Sequence, residues 1–248
     1  MNYIFLDTET ATLPDNKNIK KDEDILIQLA YIIVTNEKEI IIKKRLCKNN
    51  GIQIQPHSMS IHHITPEMVE GLYDIQHYEE YTFLKEFIQN NVCTVVAHNA
   101  PFDIDVLKRV GIDIERFCDI IDTLRVTKVL NDFQGLVYEQ VTLQFLKYFY
   151  RLDLKRQEFN KKYNISDEPH NALSDVVDVM FYFKHLRQEM GASIQNLISI
   201  STGPNRLQYI PFGTNKGKRF TELSVNQLRW YKNECDDLDI KYSADCAS

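Results

Sequence analysis

The sequence predicts an α/β layer fold built on a central mixed sheet. Three observations carry this expectation. Ile25–Thr35 (ILIQLAYIIVT) is an apolar, β-branched run, the pattern of a buried strand. Val92–Ala97 (VCTVVA) is a second, shorter run of the same kind. Beyond it the chain shifts to helical periodicity and reaches the long apolar-rich stretch Leu173–Met190.

Tyr3–Leu6 is a short apolar strand that runs into Asp7. Asp15–Asp24 (DNKNIKKDED) is a charged loop. Glu39–Leu46 is the strand partner of Ile25–Thr35, joined to it through the polar turn Thr35–Lys38. Thr65-Pro66-Glu67 opens a short helix, with Thr65 as N-cap and Pro66 at the first helical position. Tyr78–Asn90 sets Tyr81, Leu84, Phe87 and Ile88 at helical spacing. Pro101–Val110 is a helix stopped by Gly111. Thr123–Leu130 and Thr142–Tyr150 are further helices, and Leu173–Met190 ends at Gly191. Gly191–Pro204 holds no charged residue, an abrupt change that marks residues 191–204 as a linker or a short docking helix. Residues 1–190 therefore form the main domain and 205–248 a small C-terminal module.

The 248 residues are 44% hydrophobic and 26% charged, a composition that supports a globular core. A net charge of −6 offers no basic surface of the kind that neutralises phosphates. Bound metal can supply that positive charge instead. Five cysteines, an odd number without a CxxC, argue against a disulfide framework or a cysteine-rich zinc site and for a reducing compartment. No apolar run approaches the roughly 20 residues of a membrane span. The expectation is a cytoplasmic protein with no membrane partner.

Three segments could carry chemistry. Asp7 and Glu9 lie two apart where a strand ends, so their carboxylates share one face and call for a cation between them. In Val95–Asp103 (VVAHNAPFD) a strand leads into His98-Asn99 and then a helix whose first turn holds Asp103. Asp105 diverges from Asp103 by about 200° on that helix, so only one of them can face a site. In HNALSD, His170 ends a loop and Asp175 lies one turn into the next helix.

Taken singly, each of these residues is an ordinary solvated loop or helix-end group. Their order is specific. DTETATL, then HNAPFD, then HNALSD resembles the DnaQ-like 3′→5′ exonuclease superfamily, in the branch with four acidic residues and a histidine. Ile61–Thr65 (IHHIT) and Asp122-Thr123-Leu124 resemble two further elements of that superfamily. Thr12 departs from it, where many relatives have glycine. SIHHITPEMV at 60–69, the FGTNKGK tail at 212–218 and Leu228-Arg229-Trp230 resemble the exodeoxyribonuclease X branch.

The resemblance implies a ribonuclease H-like fold, a central mixed five-stranded sheet flanked by helices, with residues 1–190 as the exonuclease domain. It implies that Asp7, Glu9, Asp103 and Asp175 hold two divalent cations, Mg²⁺ or Mn²⁺, and that His170 takes a proton from the attacking water. Thr10, Leu13, His62, Asn99 and Phe102 are implied substrate-binding residues, with Leu13 wedged beside the terminal base. The implied partner is DNA with a free 3′ end, and the products are nucleoside 5′-monophosphates released in repair. Close rivals are an exoribonuclease of the ribonuclease T or oligoribonuclease type and a polymerase proofreading subunit. An inactive nucleic-acid-binding scaffold is the non-enzyme rival. A homodimer is compatible, since some relatives pair. In the module, Lys216, Lys218 and Arg219 with Trp230 and Tyr231 offer a strand-tracking surface, the rival reading being a turn-rich unit with Trp230 as its core.

Overall fold

A computed structural model of the protein describes residues 1–12, 26–165 and 172–248. The charged loop Asp15–Asp24 and the residues Leu13, His170 and Asn171 lie outside the described residues. In chain order the strands and helices are β1 (Asn2–Thr10), β2 (Leu26–Val34), β3 (Ile40–Leu46), α1 (Pro56–His62), α2 (Pro66–Val69), α3 (Glu79–Asn90), β4 (Cys93–Ala97), α4 (Ala100–Arg109), α5 (Ile114–Phe117), β5 (Cys118–Asp122) and α6 (Thr123–Phe133). There follow α7 (Leu143–Phe149), α8 (Leu152–Tyr163), α9 (Ala172–Met190), α10 (Ile194–Thr202), α11 (Val225–Glu234) and α12 (Leu238–Ala247).

The sheet is five-stranded and mixed, in the order β3-β2-β1-β4-β5. β1, β4 and β5 run parallel, while β2 runs antiparallel to both β1 and β3. Side chains alternate across the sheet. Ile4 and Leu6 of β1 enter a core with Leu84, Ile88, Ile104 and Leu107 of α3 and α4. Phe5 enters the opposite core with Val176, Met180 and Phe183 of α9. Each such buried side chain contributes about 1.5–3 kcal/mol of hydrophobic stabilisation.

β1 is longer than the apolar run suggested. It continues through Asp7 to Thr10, because β2 supplies ladder partners out to Thr10↔Leu26. Its parallel pairing with β4 ends at Phe5↔Val96. The acidic end of β1 therefore projects past its parallel neighbour. β5 was not legible as a strand, and α8 was not legible as a helix. Among the described residues, no helix is long and apolar enough to cross a membrane.

Of the two expectations for 191–204, a linker or a short docking helix, the structure has the helix. Ser193 caps α10 by accepting from Asn196 N, and Leu197 is buried in the core shared with α9. The helix packs on β5 and α6. Residues beyond 205 have a small core of their own, with Leu207, Ile210, Phe220, Leu228, Tyr231 and Ile240. Neither expectation for its aromatics holds whole: Tyr231 is core at 4% exposed and Trp230 is outside at 52% exposed. α11 starts at the Ser224 cap and turns Leu228 and Tyr231 inward, three residues apart, which leaves Trp230 outward.

This module is fastened to α6. Asp132 accepts the backbone N–H groups of Gln208 and Tyr209 at 2.8–2.9 Å. Arg125 donates to Asp239 from Nη2 at 2.7 Å and from Nε at 3.2 Å. Asp239 is buried and also accepts Asn205 N at 2.7 Å. Breaking a buried, hydrogen-bonded pair by deleting one partner costs about 3–5 kcal/mol. We expect Asp239→Ala to lose stability of that order in chemical denaturation. A loss below ~1 kcal/mol, the scale of an exposed pair, would show that the junction is not held this way.

Candidate active site

The projecting end of β1 places Asp7 and Glu9 on the α9 side of the sheet, the side that Phe5 also faces. α9 is docked there at two points. Gln28, the cross-strand partner of Glu9, accepts the backbone N–H of Ala172, the first residue of α9, at 3.0 Å. Further along, Phe183 packs on Tyr3 and Phe5 with ring centroids 5.6 and 5.7 Å apart. This delivers Asp175, in the first turn of α9, to the same place as Asp7 and Glu9. One carboxylate oxygen from each of Asp7, Glu9 and Asp175 lies within 4.8 Å of the others.

Asp103 approaches from α4. It is 2% exposed, and its Oδ1 accepts both the backbone N–H of Thr8 at 2.8 Å and the Thr8 hydroxyl at 2.7 Å. It stands beside the three-carboxylate group rather than inside it, close enough to raise the Asp7 pKa more than any other charge does. Asp105 is exposed and paired with Arg109. The helical geometry thus selects Asp103 over Asp105.

The electrostatics are those of crowded acids, half-buried at Asp7, Glu9 and Asp175 and buried at Asp103. Burial, then Asp103, Glu9 and Asp175, hold the Asp7 carboxyl well above the usual range. Burial, then Asp175 and Asp103, push Glu9 up to about 9. Burial raises Asp103 to about 7 against the two Thr8 hydrogen bonds that lower it. Burial and then Asp178 raise Asp175 to about 6, against Lys147 and Arg156. Asp175 Oδ1 is buried with no hydrogen-bond partner among the described residues. An orphaned carboxylate oxygen beside two more carboxylates fits a hard divalent cation, whose preferred ligands are oxygens.

The other expected residues fall into different places. Thr10 is buried, and its hydroxyl donates to the Thr12 carbonyl at 2.6 Å, so it closes the turn after β1. His62 is buried at the end of α1, with Nδ1 accepting Ile64 N at 3.0 Å, and burial lowers its pKa. The Thr10 backbone favours the charged ring in the opposite sense, which sets His62 against the acidic end of β1. Asn99 is exposed in left-handed conformation (φ 72°), with its N–H bound to Asp122 Oδ1 at 2.9 Å. Phe102 is half-buried against the α3–α4 core. His170 and Leu13 lie outside the described residues.

Two supporting residues were not found by sequence reading, and a third, His98, was named there without a role. Gln28 holds α9 through one hydrogen bond and Thr8 holds Asp103 through two, none of which any spacing reveals. His98 is held between Thr123 Oγ1 at 3.0 Å and the Val141 carbonyl at 3.1 Å. Burial lowers its pKa to about 4, so the ring is neutral and joins the end of β4 to α6.

The parallel strands end beside an acidic cluster, fed by two helix starts, that could hold a divalent cation. The model of the exonuclease family matches residues 4–183, and the chain belongs to that family. No curated protein matches the chain. Among solved structures, the chain is similar to exonuclease X in complex with 5′-overhanging duplex DNA. That match has 20% identity and a TM-score of 0.52, covering 81% of this chain and 98% of that one. E. coli exonuclease I in complex with a dT13 oligonucleotide matches at 15% identity and a TM-score of 0.55. This chain is covered over 77% and spans 42% of that one. Cell-death related nuclease 4 matches at 14% identity and a TM-score of 0.53, covering 77% of this chain and 64% of that one. These likenesses show a shared fold.

The raised carboxyls have a consequence for stability. An unfolded Asp or Glu releases its proton near pH ~4. Glu9, Asp103 and Asp175 keep theirs in the folded chain up to about 9, 7 and 6. The folded state then binds more protons, so stability falls as pH rises through that window. A divalent cation binds the deprotonated form and reverses the loss. We expect the melting temperature of the chelator-treated protein to fall between pH 5 and pH 9. The rise on adding Mg²⁺ should be larger at pH 8 than at pH 5. An equal Mg²⁺ effect at both pH values would contradict this assignment.

Proposed function

We propose that this chain is a 3′→5′ exonuclease that hydrolyses the terminal phosphodiester bond of DNA and releases nucleoside 5′-monophosphates. The observation that carries the reading is the convergence of Asp7, Glu9 and Asp175 with an unpartnered Asp175 oxygen, in a chain of the exonuclease family. Asp7, Glu9 and Asp175 would hold one divalent cation, and Asp103, beside Asp7, would help to hold a second. When bound, two such ions supply a more acidic water and neutralise charge on the scissile phosphate.

The chain's own residues do the rest. Thr8 fixes Asp103 by two hydrogen bonds, so that carboxylate is oriented before substrate arrives. Gln28 fixes the start of α9 and with it Asp175. His170 is assigned as the base for the attacking water, since an unperturbed histidine pKa of about 6.5 suits proton transfer at neutral pH. Leu13, Asn99 and Phe102 are assigned to the 3′-terminal nucleotide, with Thr10 and His62 shaping the turn beneath it.

DNA is favoured over RNA on two grounds. The tail Phe212–Lys218 has the sequence pattern of the exodeoxyribonuclease X branch, and the fold is shared with nucleases whose solved complexes hold DNA. In the structure this tail is a closed loop, with Ile210 N bound to the Lys218 carbonyl and Gly217 N to the Ile210 carbonyl, each at 2.9 Å. Lys216 and Lys218 are exposed on it. A repair role is part of the proposal.

Purified protein with Mg²⁺ is expected to shorten single-stranded DNA from its 3′ end, faster than RNA of the same sequence. Asp7→Ala should lower the rate by roughly 10³-fold or more, since a bound metal supplies several kcal/mol of transition-state stabilisation. Asp105→Asn should leave it unchanged. Intact substrate under these conditions would overturn the enzyme reading, and faster RNA turnover would pass it to an exoribonuclease.

A further inference from the structure

The C-terminal module carries a cavity that the proposed reaction does not use. Residues 208–210 pair with 217–220 as a short ribbon. Phe220 N donates to the Gln208 carbonyl at 3.1 Å, Ile210 N to the Lys218 carbonyl at 2.9 Å, and Tyr209 bridges to Arg219. Beside this ribbon lies a cavity of about 210 Å³ with Arg206, Gln208, Arg219 and Thr221 in its wall. No carboxylate lines it. Both arginines are exposed, and neither is in an ion pair among the described residues. Arg219 lies over the Tyr209 ring, with Cζ 5.6 Å from its centre. A planar guanidinium held on an aromatic face loses little freedom when its N–H groups take an anion.

In a chain of net charge −6, two arginines on one cavity with no acid between them call for an anion. Other cations of the module and its junction are matched: Lys232 with Asp245, Lys128 with Asp237 and Arg125 with Asp239. Guanidinium groups fit phosphate oxygens through paired N–H donors. Leu207 also lines a second cavity, of about 250 Å³, with Tyr209, Pro211, Phe212 and the exposed Lys216. Of the acids in that wall, Asp132 accepts two backbone N–H groups and Asp237 pairs with Lys128. Paired guanidiniums next to aromatic faces suit a nucleic-acid strand, which offers phosphates and bases in turn. Asp122, which holds the Asn99 N–H, and Asp132, which holds Gln208 and Tyr209, are ten residues apart along α6 and its cap, roughly 15 Å. A strand that ends at Asn99 therefore reaches the cavity at least a few nucleotides upstream.

We propose that the Arg206–Arg219 cavity binds a backbone phosphate of the substrate strand, a few nucleotides from its 3′ end, with a neighbouring base laid against Tyr209 and Phe212. This rests on the reading of the chain as an exonuclease. It moves the strand contact expected from the sequence away from Trp230 and Tyr231 to Arg206, Tyr209 and Phe212. The site adds affinity for long strands and leaves the chemistry at the terminal bond untouched.

The test is steady-state kinetics with Mg²⁺ on a twelve-nucleotide oligo(dT) and on the shortest oligo(dT) that the wild type cleaves. Fluorescence anisotropy of the labelled long strand with the full chain in EDTA, and thermal melts, run in parallel. Arg206→Gln and Arg219→Gln should each raise KM for the long strand roughly 10-fold, the scale of one charge-assisted contact, with kcat unchanged. Arg206→Lys should stay within a few-fold of wild type. Turnover of the short strand should match wild type in every variant. In the binding assay, losing one phosphate contact should lower the slope of log K against log salt by roughly 0.7. Phe212→Ala should weaken long-strand binding several-fold through the lost base contact. An unchanged KM for the long strand in both folded glutamine variants, or an equal loss on the short strand, would overturn the proposal. Polyglutamate that competes as well as the oligonucleotide would also overturn it, by making the cavity a general anion surface. A wild-type chain that cleaves neither strand, while Arg206→Gln still weakens binding, would overturn the exonuclease reading and leave the strand site standing.

Discussion

Repulsion between Asp7, Glu9, Asp103 and Asp175 is the constraint around which this domain is arranged. Two like unit charges 4 Å apart repel by about 4 kcal/mol at the effective dielectric typical near a protein surface. Burial adds to this, and it is the largest cause of the raised pKa at each of the four positions. A fold does not hold such a group together for its own stability. The arrangement makes physical sense when protons or divalent cations occupy it.

The architecture follows from that constraint. β1 must project past β4 so that two of its side chains leave the apolar core on one face. β2 must accompany it, because the projecting end would otherwise lack ladder partners, and Gln28 on β2 then reaches α9. α4 and α9 each present an aspartate in the first turn, where the helix dipole favours negative charge. Lys147 and Arg156, both buried, pair with Asp178 on the second turn of α9. The C-terminal module, by contrast, joins through α6 by its own ion pairs at Arg125 and Lys128.

Much of this was legible in the sequence. The apolar runs marked β2, β3 and β4, the helical spacing marked α3, α4, α6, α7 and α9, and the HNAPFD motif together with helical angles preferred Asp103 to Asp105. What escaped has physical reasons. β5 (CDIID) is five residues with acids at two positions, so neither strict alternation nor a continuous apolar run appears. α8 is rich in charge and buries only Leu152, Arg156 and Asn160 outright, so its inward face is largely polar and carries no apolar stripe. Trp230 and Tyr231 are adjacent, and one residue of helical phase decides which of them is core. The Lys147–Asp178–Arg156 cluster joins three helices, and an isolated Lys in LQFLKYF looks like a solvated charge until the packing is known. The motif order located the acidic residues, whereas the groups that hold them are set by tertiary contact.

The most direct test of the carboxylate cluster as a divalent-cation centre is anomalous diffraction from crystals of the full chain soaked in Mn²⁺. A strong Mn²⁺ peak coordinated by Asp7, Glu9 and Asp175, with a second adjoining Asp7 and Asp103, is the predicted result. Anomalous density elsewhere, with these carboxylates apart or bound only to protein groups, would contradict it.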